Sequence, residues 1–134
     1  MTIEDYTSVY FGAIKRQSTP AVYDGKFVHV TSPNGAFLLF APTQFCKYHA
    51  HIVAHFSSLH KEVSFILSGD DGHFRTPGWS IRGGGKFRLD STKKIIWLWG
   101  SSKAYGTFDG TGIGEQLREN EAWGAYEIRF SEPN

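Results

Sequence analysis

Between Phe45 and Val63, the apolar residues Phe45, Tyr48, Ile52, Phe56, Leu59 and Val63 recur at steps of three and four. That period puts them on one stripe of an α-helix, and such a stripe must be buried against a partner. The surrounding segments read as strands, so the partner is expected to be a sheet. The helix start has two readings. Thr43, after Pro42, is a capping residue type, and the first full turn could instead begin nearer Tyr48.

Phe27-Val28-His29-Val30 and Ala36-Phe37-Leu38-Leu39-Phe40 flank the turn sequence Ser32-Pro33-Asn34-Gly35 and read as a hairpin. Beyond the helix, Ser64 to Leu67 reads as a strand, followed by the turn-rich Ser68-Gly69-Asp70-Asp71-Gly72 and by Pro77-Gly78. Ser80-Ile81-Arg82 and Lys86-Phe87-Arg88-Leu89 are strand-like and flank Gly83-Gly84-Gly85; Ile95 to Trp99 is a dense β segment. A second helix is expected over Glu115 to Trp123, with Leu117 and Ala122 facing inward, and Ala125 to Phe130 ends in the alternation of a half-buried strand. Residues 1–23 are poorly defined, with only Ser8-Val9-Tyr10-Phe11 offering a short strand. The order strands, helix, strands, helix, strand predicts one α+β domain over residues 1–134. Aromatics make up 16% of the chain, enough bulk for a real core without staples.

Charge and cysteine content remove several functions. A formal charge of +1 gives no long-range field for a generic nucleic-acid or anionic-membrane binder, so any anion site must be local. The lone Cys46 cannot form an internal disulfide, and there is no Cys-x-x-Cys pair. The acidic start Met1-Thr2-Ile3-Glu4-Asp5 lacks the character of a signal peptide, and no run of about eighteen apolar residues occurs. A soluble, cytoplasmic, monomeric protein is expected.

Three segments could carry chemistry. Gly83-Gly84-Gly85 implies positive φ, a bulge or close approach by another group, and Lys86 sets a cation beside it. The loop Gly100-Ser101-Ser102-Lys103-Ala104-Tyr105-Gly106 follows the most apolar strand and offers amides and the Ser102 hydroxyl to an anion. Each alone is more often an ordinary turn or polar loop. Neither a nucleotide P-loop nor a dinucleotide fingerprint is present. Of the six histidines, His49, His51, His55 and His60 fall in the main helix. His51 and His55 are four apart, but Ile52 stands where a zinc protease has its Glu, so this pair reads as a solvated face. His49, beside the apolar stripe at a helix start, is the candidate for nucleophilic or acid–base work, although a lone histidine there is more often structural.

Read in order, Tyr48-His49-Ala50, Gly83-Gly84-Gly85-Lys86 and Ser102-Lys103-Ala104-Tyr105-Gly106 resemble the Janus family, which contains phosphohistidine phosphatases. The resemblance covers roughly Asp24 to Phe130, including Tyr126-Glu127-Ile128 in the closing strand. It implies a mixed six-stranded sheet with two helices and a phosphate pocket where the helix start, near Tyr48, meets the strand loops. It implies no metal or cofactor. His49 would be catalytic; the amides of His49, Ala50 and Ala104 and the Ser102 hydroxyl would hold phosphate, with Lys26 and Lys86 as basic pocket residues. The chain departs from the family where His51 replaces an acidic residue, where Lys86 replaces Arg, and in a longer stretch from Ser68 to Trp79.

The expected activity is hydrolysis of a P–N bond in a phosphohistidine-bearing protein or a small phosphoramidate, with His49 as nucleophile or as base for water. The alternative is a non-catalytic phosphate- or phosphopeptide-binding module on the same fold. A nucleic-acid binder is a third and weaker reading.

Overall fold

The structure, a computed structural model, describes residues Met1–Asn134. Six strands form one mixed sheet: β1 (Thr2–Asp5), β2 (Val22–Ser32), β3 (Gly35–Pro42), β6 (Ser80–Asp90), β7 (Ile95–Trp99) and β8 (Glu127–Arg129). They lie in the order β1-β3-β2-β6-β7-β8. The two outer pairings, β1 with β3 and β7 with β8, are parallel, and the three inner ones are antiparallel. β4 (Phe65–Ser68) and β5 (Asp71–Phe74) form a separate hairpin. The helices are α1 (His49–Leu59) and α2 (Gly110–Glu119). The fold is thus α+β, with the sheet and two main helices expected. No helix is long and apolar enough to cross a membrane.

Each sheet face has its own core. Val28, Val30, Leu39 and Ala41 point to one side and pack under Ile52, Val53 and Phe56 of α1. Phe27, Leu38, Phe40, Phe87, Leu89, Ile96 and Leu98 point to the other, against Ile113 and Leu117 of α2. This accounts for the unbroken apolar run in β3: a strand covered on both faces has no side to expose. Phe56 is fully buried and anchors α1 to the sheet; truncating such a ring costs ~3–5 kcal/mol.

Several sequence expectations need correction. Residues 1–23 are structured: β1 pairs with β3, and Asp5 accepts hydrogen bonds from the Thr7 amide and hydroxyl and from Tyr23. The strand expected at Ser8–Phe11 is instead part of a π-helical turn over Val9–Ile14, where the Lys15 amide bonds the Tyr10 carbonyl five residues back. The buried Tyr10 ring packs against Phe11 and Phe45, so tertiary contact overrides β propensity. Asp109, not a residue near Glu115, starts α2, accepting from the Gly112 amide. The helix ends at Glu119, and Ala122 is exposed rather than inward. Asn120 Oδ1 accepts from the Ala122 and Trp123 amides in a turn that buries Trp123 instead.

The glycine run does not separate two strands. It lies inside the continuous β6, opposite β2, with a register shift beside the His29–Gly83 pair. Gly83 has φ 146°, and a Cβ there would meet the Thr107 carbonyl oxygen at 2.1 Å.

Candidate functional site

α1 begins at His49, with Tyr48 as N-cap and no side chain capping the first turn. Thr43 is not the cap. The His51 amide bonds the Tyr48 carbonyl, whereas the His49 and Ala50 amides donate to no protein acceptor. Free first-turn amides at the positive end of a helix are anion-binding groups.

The His49 side chain turns from this helix start into the sheet. A Cβ on Gly84 would lie 2.7 Å from His49 Cδ2, so only glycine lets the ring approach β6 this closely. There His49 Nε2 donates to the Gly85 carbonyl at 2.9 Å. A carbonyl only accepts, so Nε2 carries the proton and Nδ1 keeps the lone pair. His49 is 7% exposed. Burial pulls its pKa below the ordinary histidine value, with Lys26 adding to the effect and the Gly85 hydrogen bond opposing it. A neutral imidazole with a fixed tautomer is a competent base or nucleophile at neutral pH.

A cavity of about 490 Å³ opens beside this ring, lined by Lys26, Tyr48, His49, Lys86, Ser102 and Ala104, together with Ser101, Lys103, Asp70 and Asp71. Of the residues singled out from sequence, His49, Lys26, Lys86, Ser102 and Ala104 therefore meet at one place. Ala50 does not line the cavity; its side chain is fully buried in the first turn of α1.

The loop after β7 is held by two backbone bonds between Ser102 and Gly106, and the Gly106 carbonyl also accepts from the Gly84 amide. Ser102 is 3% exposed, and its Oγ accepts from the Tyr105 amide at 3.2 Å, which leaves its O–H to donate. The Lys103 and Ala104 amides have no protein acceptor.

Lys26 on β2 stands directly across from Lys86 on β6. Lys26 Nζ donates to the Lys47 carbonyl at 2.5 Å, and the ammoniums of Lys26 and Lys47 both lie over the Tyr48 ring, 5.6 and 5.4 Å from its centroid. Burial lowers the Lys26 pKa, and Lys86 and Lys47 lower it further.

His51 and His55 do not form a metal pair, and neither belongs to a freely solvated face. His51 Nε2 donates to the Gly69 carbonyl at 3.0 Å, while the partly buried His55 ring sits edge-on against Tyr6 and Phe45. No three His, Cys, Asp or Glu side chains converge as a metal site.

Sequence reasoning missed Asp70, Asp71, Tyr48, Ser101 and Lys103 as cavity residues. Only the stretch from Ser68 to Trp79 signalled the first two, through its extra length and turn-rich sequence. No protein-family model and no curated protein matches the chain.

Proposed function

We propose that the chain is a metal-independent phosphoramidate phosphatase, with phosphohistidine as the first substrate to test and His49 as its catalytic residue. The observation that carries this reading is the like-charged pair Lys26–Lys86, set across two strands beside the free amides of the α1 start. Like charges directly opposite one another destabilise a sheet. A dianion between them would offset that cost. The ordered resemblance of the three cavity segments to the Janus family supports the same reading, and a monomeric, cytoplasmic protein is part of the proposal.

The phosphoryl group would lie against the amides of His49 and Ala104 and the Ser102 hydroxyl, with Lys26 and Lys86 balancing its charge. Donors fixed before the reaction stabilise charge on the phosphoryl oxygens as the P–N bond lengthens. In one route His49 Nδ1 takes a proton from water as the water oxygen attacks phosphorus; the P–N bond breaks and that proton passes to the leaving nitrogen. In the other, Nδ1 attacks phosphorus as the P–N bond to the substrate breaks and the leaving nitrogen takes a proton from solvent; water then attacks the phosphorus held on His49, the Nδ1–P bond breaks and phosphate leaves. Both use the lone pair that the Gly85 hydrogen bond leaves free. Neither route draws on a metal.

The test is phosphate release from a phosphohistidine peptide, with and without a strong chelator. Wild-type protein should turn over in both, and His49→Ala should keep its circular dichroism while losing release. Phosphate binding without turnover would favour the binding-module reading, and activity restored only by added zinc or magnesium would overturn metal independence.

A further inference from the structure

The cavity is lined by charges of both signs. Lys26 and Lys86 come from the sheet and Lys103 from the loop after β7; Asp70 and Asp71 come from the turn of the β4–β5 hairpin. None of these five side chains makes an ion pair within the chain. A pocket for a simple phosphate would gain nothing from carboxylates on its wall, because they repel the dianion that the lysines attract.

Nor is the hairpin a loose turn that happens to lie nearby. Phe65 and Phe74 pack edge to face at its base, and Phe74 meets Trp79, which packs against Phe56. Its tip is held from two sides. His51 Nε2 on α1 donates to the Gly69 carbonyl at 3.0 Å, and the Tyr105 hydroxyl in the Ser102 loop donates to the Gly72 carbonyl at 2.9 Å. Asp70 and Asp71 lie between these two anchors. The Gly72 amide donates to Asp71 Oδ1 at 2.7 Å, which orients that carboxylate, and the Tyr105 hydroxyl lies beside it.

We infer that Asp70 and Asp71 form a specificity wall, selecting phosphoryl compounds that carry a positive charge next to the phosphoryl group. This rests on the phosphate reading of the site and names the substrate class within it: phosphorylated amines, guanidines or imidazoles that are zwitterionic, or a phosphorylated side chain with a basic neighbour. The anionic end faces the lysines and the α1 amides, and the cationic end faces the hairpin. A substrate with the same phosphoryl group and no cation meets the carboxylates uncompensated.

Ethyl phosphate and phosphoethanolamine separate the two requirements, since they share a phosphoryl group and differ by one ammonium. Each is titrated into ¹⁵N-labelled wild-type protein and into the double variant Asp70→Asn with Asp71→Asn, alongside inorganic phosphate. Both aspartates are exposed, and Asn can still accept from the Gly72 amide, so the amide spectrum of the variant should show an intact fold. Wild type should prefer phosphoethanolamine by about three- to tenfold at low salt, as expected for one or two solvent-facing ion pairs. In the double variant the ratio should fall to about one, with inorganic phosphate bound no more weakly than before. Equal affinity for the two esters in wild type, or a preference that survives in the variant, overturns the wall while the phosphate pocket stands. Failure of all three ligands to bind overturns the pocket, and the wall with it.

Discussion

Lys26 and Lys86 occupy directly opposed positions on neighbouring strands, on the sheet face that carries α1. Elsewhere the β2–β6 pairing obeys ordinary rules: Asp24 opposes Arg88, and the two form a bidentate ion pair. Two residues farther along the same face, the complementarity reverses. Local conflict of this kind concentrates at functional sites, where a ligand supplies what the chain lacks.

Lys86→Gln should therefore move stability and binding in opposite directions. Removing one ammonium relieves the repulsion on Lys26, so the melting temperature without ligand should rise slightly at low salt. Phosphate affinity should fall by about tenfold, equivalent to ~1.4 kcal/mol, within the range for a lost charged hydrogen bond. Thermal melts with and without phosphate check both signs. A loss of stability without ligand, or unchanged affinity, would remove Lys86 from the site.

Activity should tolerate mild acid better than an ordinary histidine allows. Burial holds the His49 pKa below 6.5, so the imidazole stays neutral as pH falls past that value. The rate should decline only when pH passes through the lowered pKa. Ring-proton shifts of His49 titrated by NMR, compared with the pH profile of turnover, check this. A rate that halves near pH 6.5 in step with an unshifted His49 would contradict it.

Much of the fold was legible in the sequence because it follows local periodicity. The stripe from Ile52 through Phe56 marked α1, and Ser32-Pro33-Asn34-Gly35 marked the β2–β3 turn. Thr2–Asp5 was not legible, since its pairing with β3 is a long-range event and its sequence carries only Ile3 as a β-former. The site was legible as separate segments. That Gly84 admits the His49 ring was beyond reach, as it depends on how α1 docks on β6. Asp70 and Asp71 looked like turn residues, and only the anchoring by His51 and Tyr105 brings them to the cavity.

Gly84→Ala tests that docking. The added methyl would lie 2.6 Å from the Phe27 carbonyl oxygen and 2.7 Å from His49 Cδ2, so the ring must withdraw. Overpacking of this kind costs ~1–3 kcal/mol, and a displacement near 1 Å at a catalytic group lowers turnover by about 10²-fold. In a double-mutant cycle with His49→Ala, the stability losses should be less than additive, because the smaller side chain vacates part of the clash. Strict additivity in denaturant unfolding would mean that Gly84 does not hold the imidazole's place.

His29 offers an independent test of the core on the opposite face. It projects from β2 between Phe27 and Val30, opposite Leu38 and Gly83, and both ring nitrogens are buried without a hydrogen-bond partner. Such unpaired groups cost ~1–3 kcal/mol, so an apolar replacement of similar size should stabilise the fold. Burial lowers the His29 pKa; Arg82 adds to the effect and Asp109 opposes it. His49 and His55 are lowered by burial as well. As pH falls from 6.5 toward these lowered native values, the unfolded chain binds more protons than the folded one, and stability drops. His29→Leu removes one of the three groups responsible. It should gain ~1 kcal/mol at pH 8 and a larger margin at pH 5.5, with the unfolding m-value unchanged. Urea unfolding at the two pH values reads both effects, and equal or lower stability of the variant at both would show that the His29 ring nitrogens are satisfied in solution.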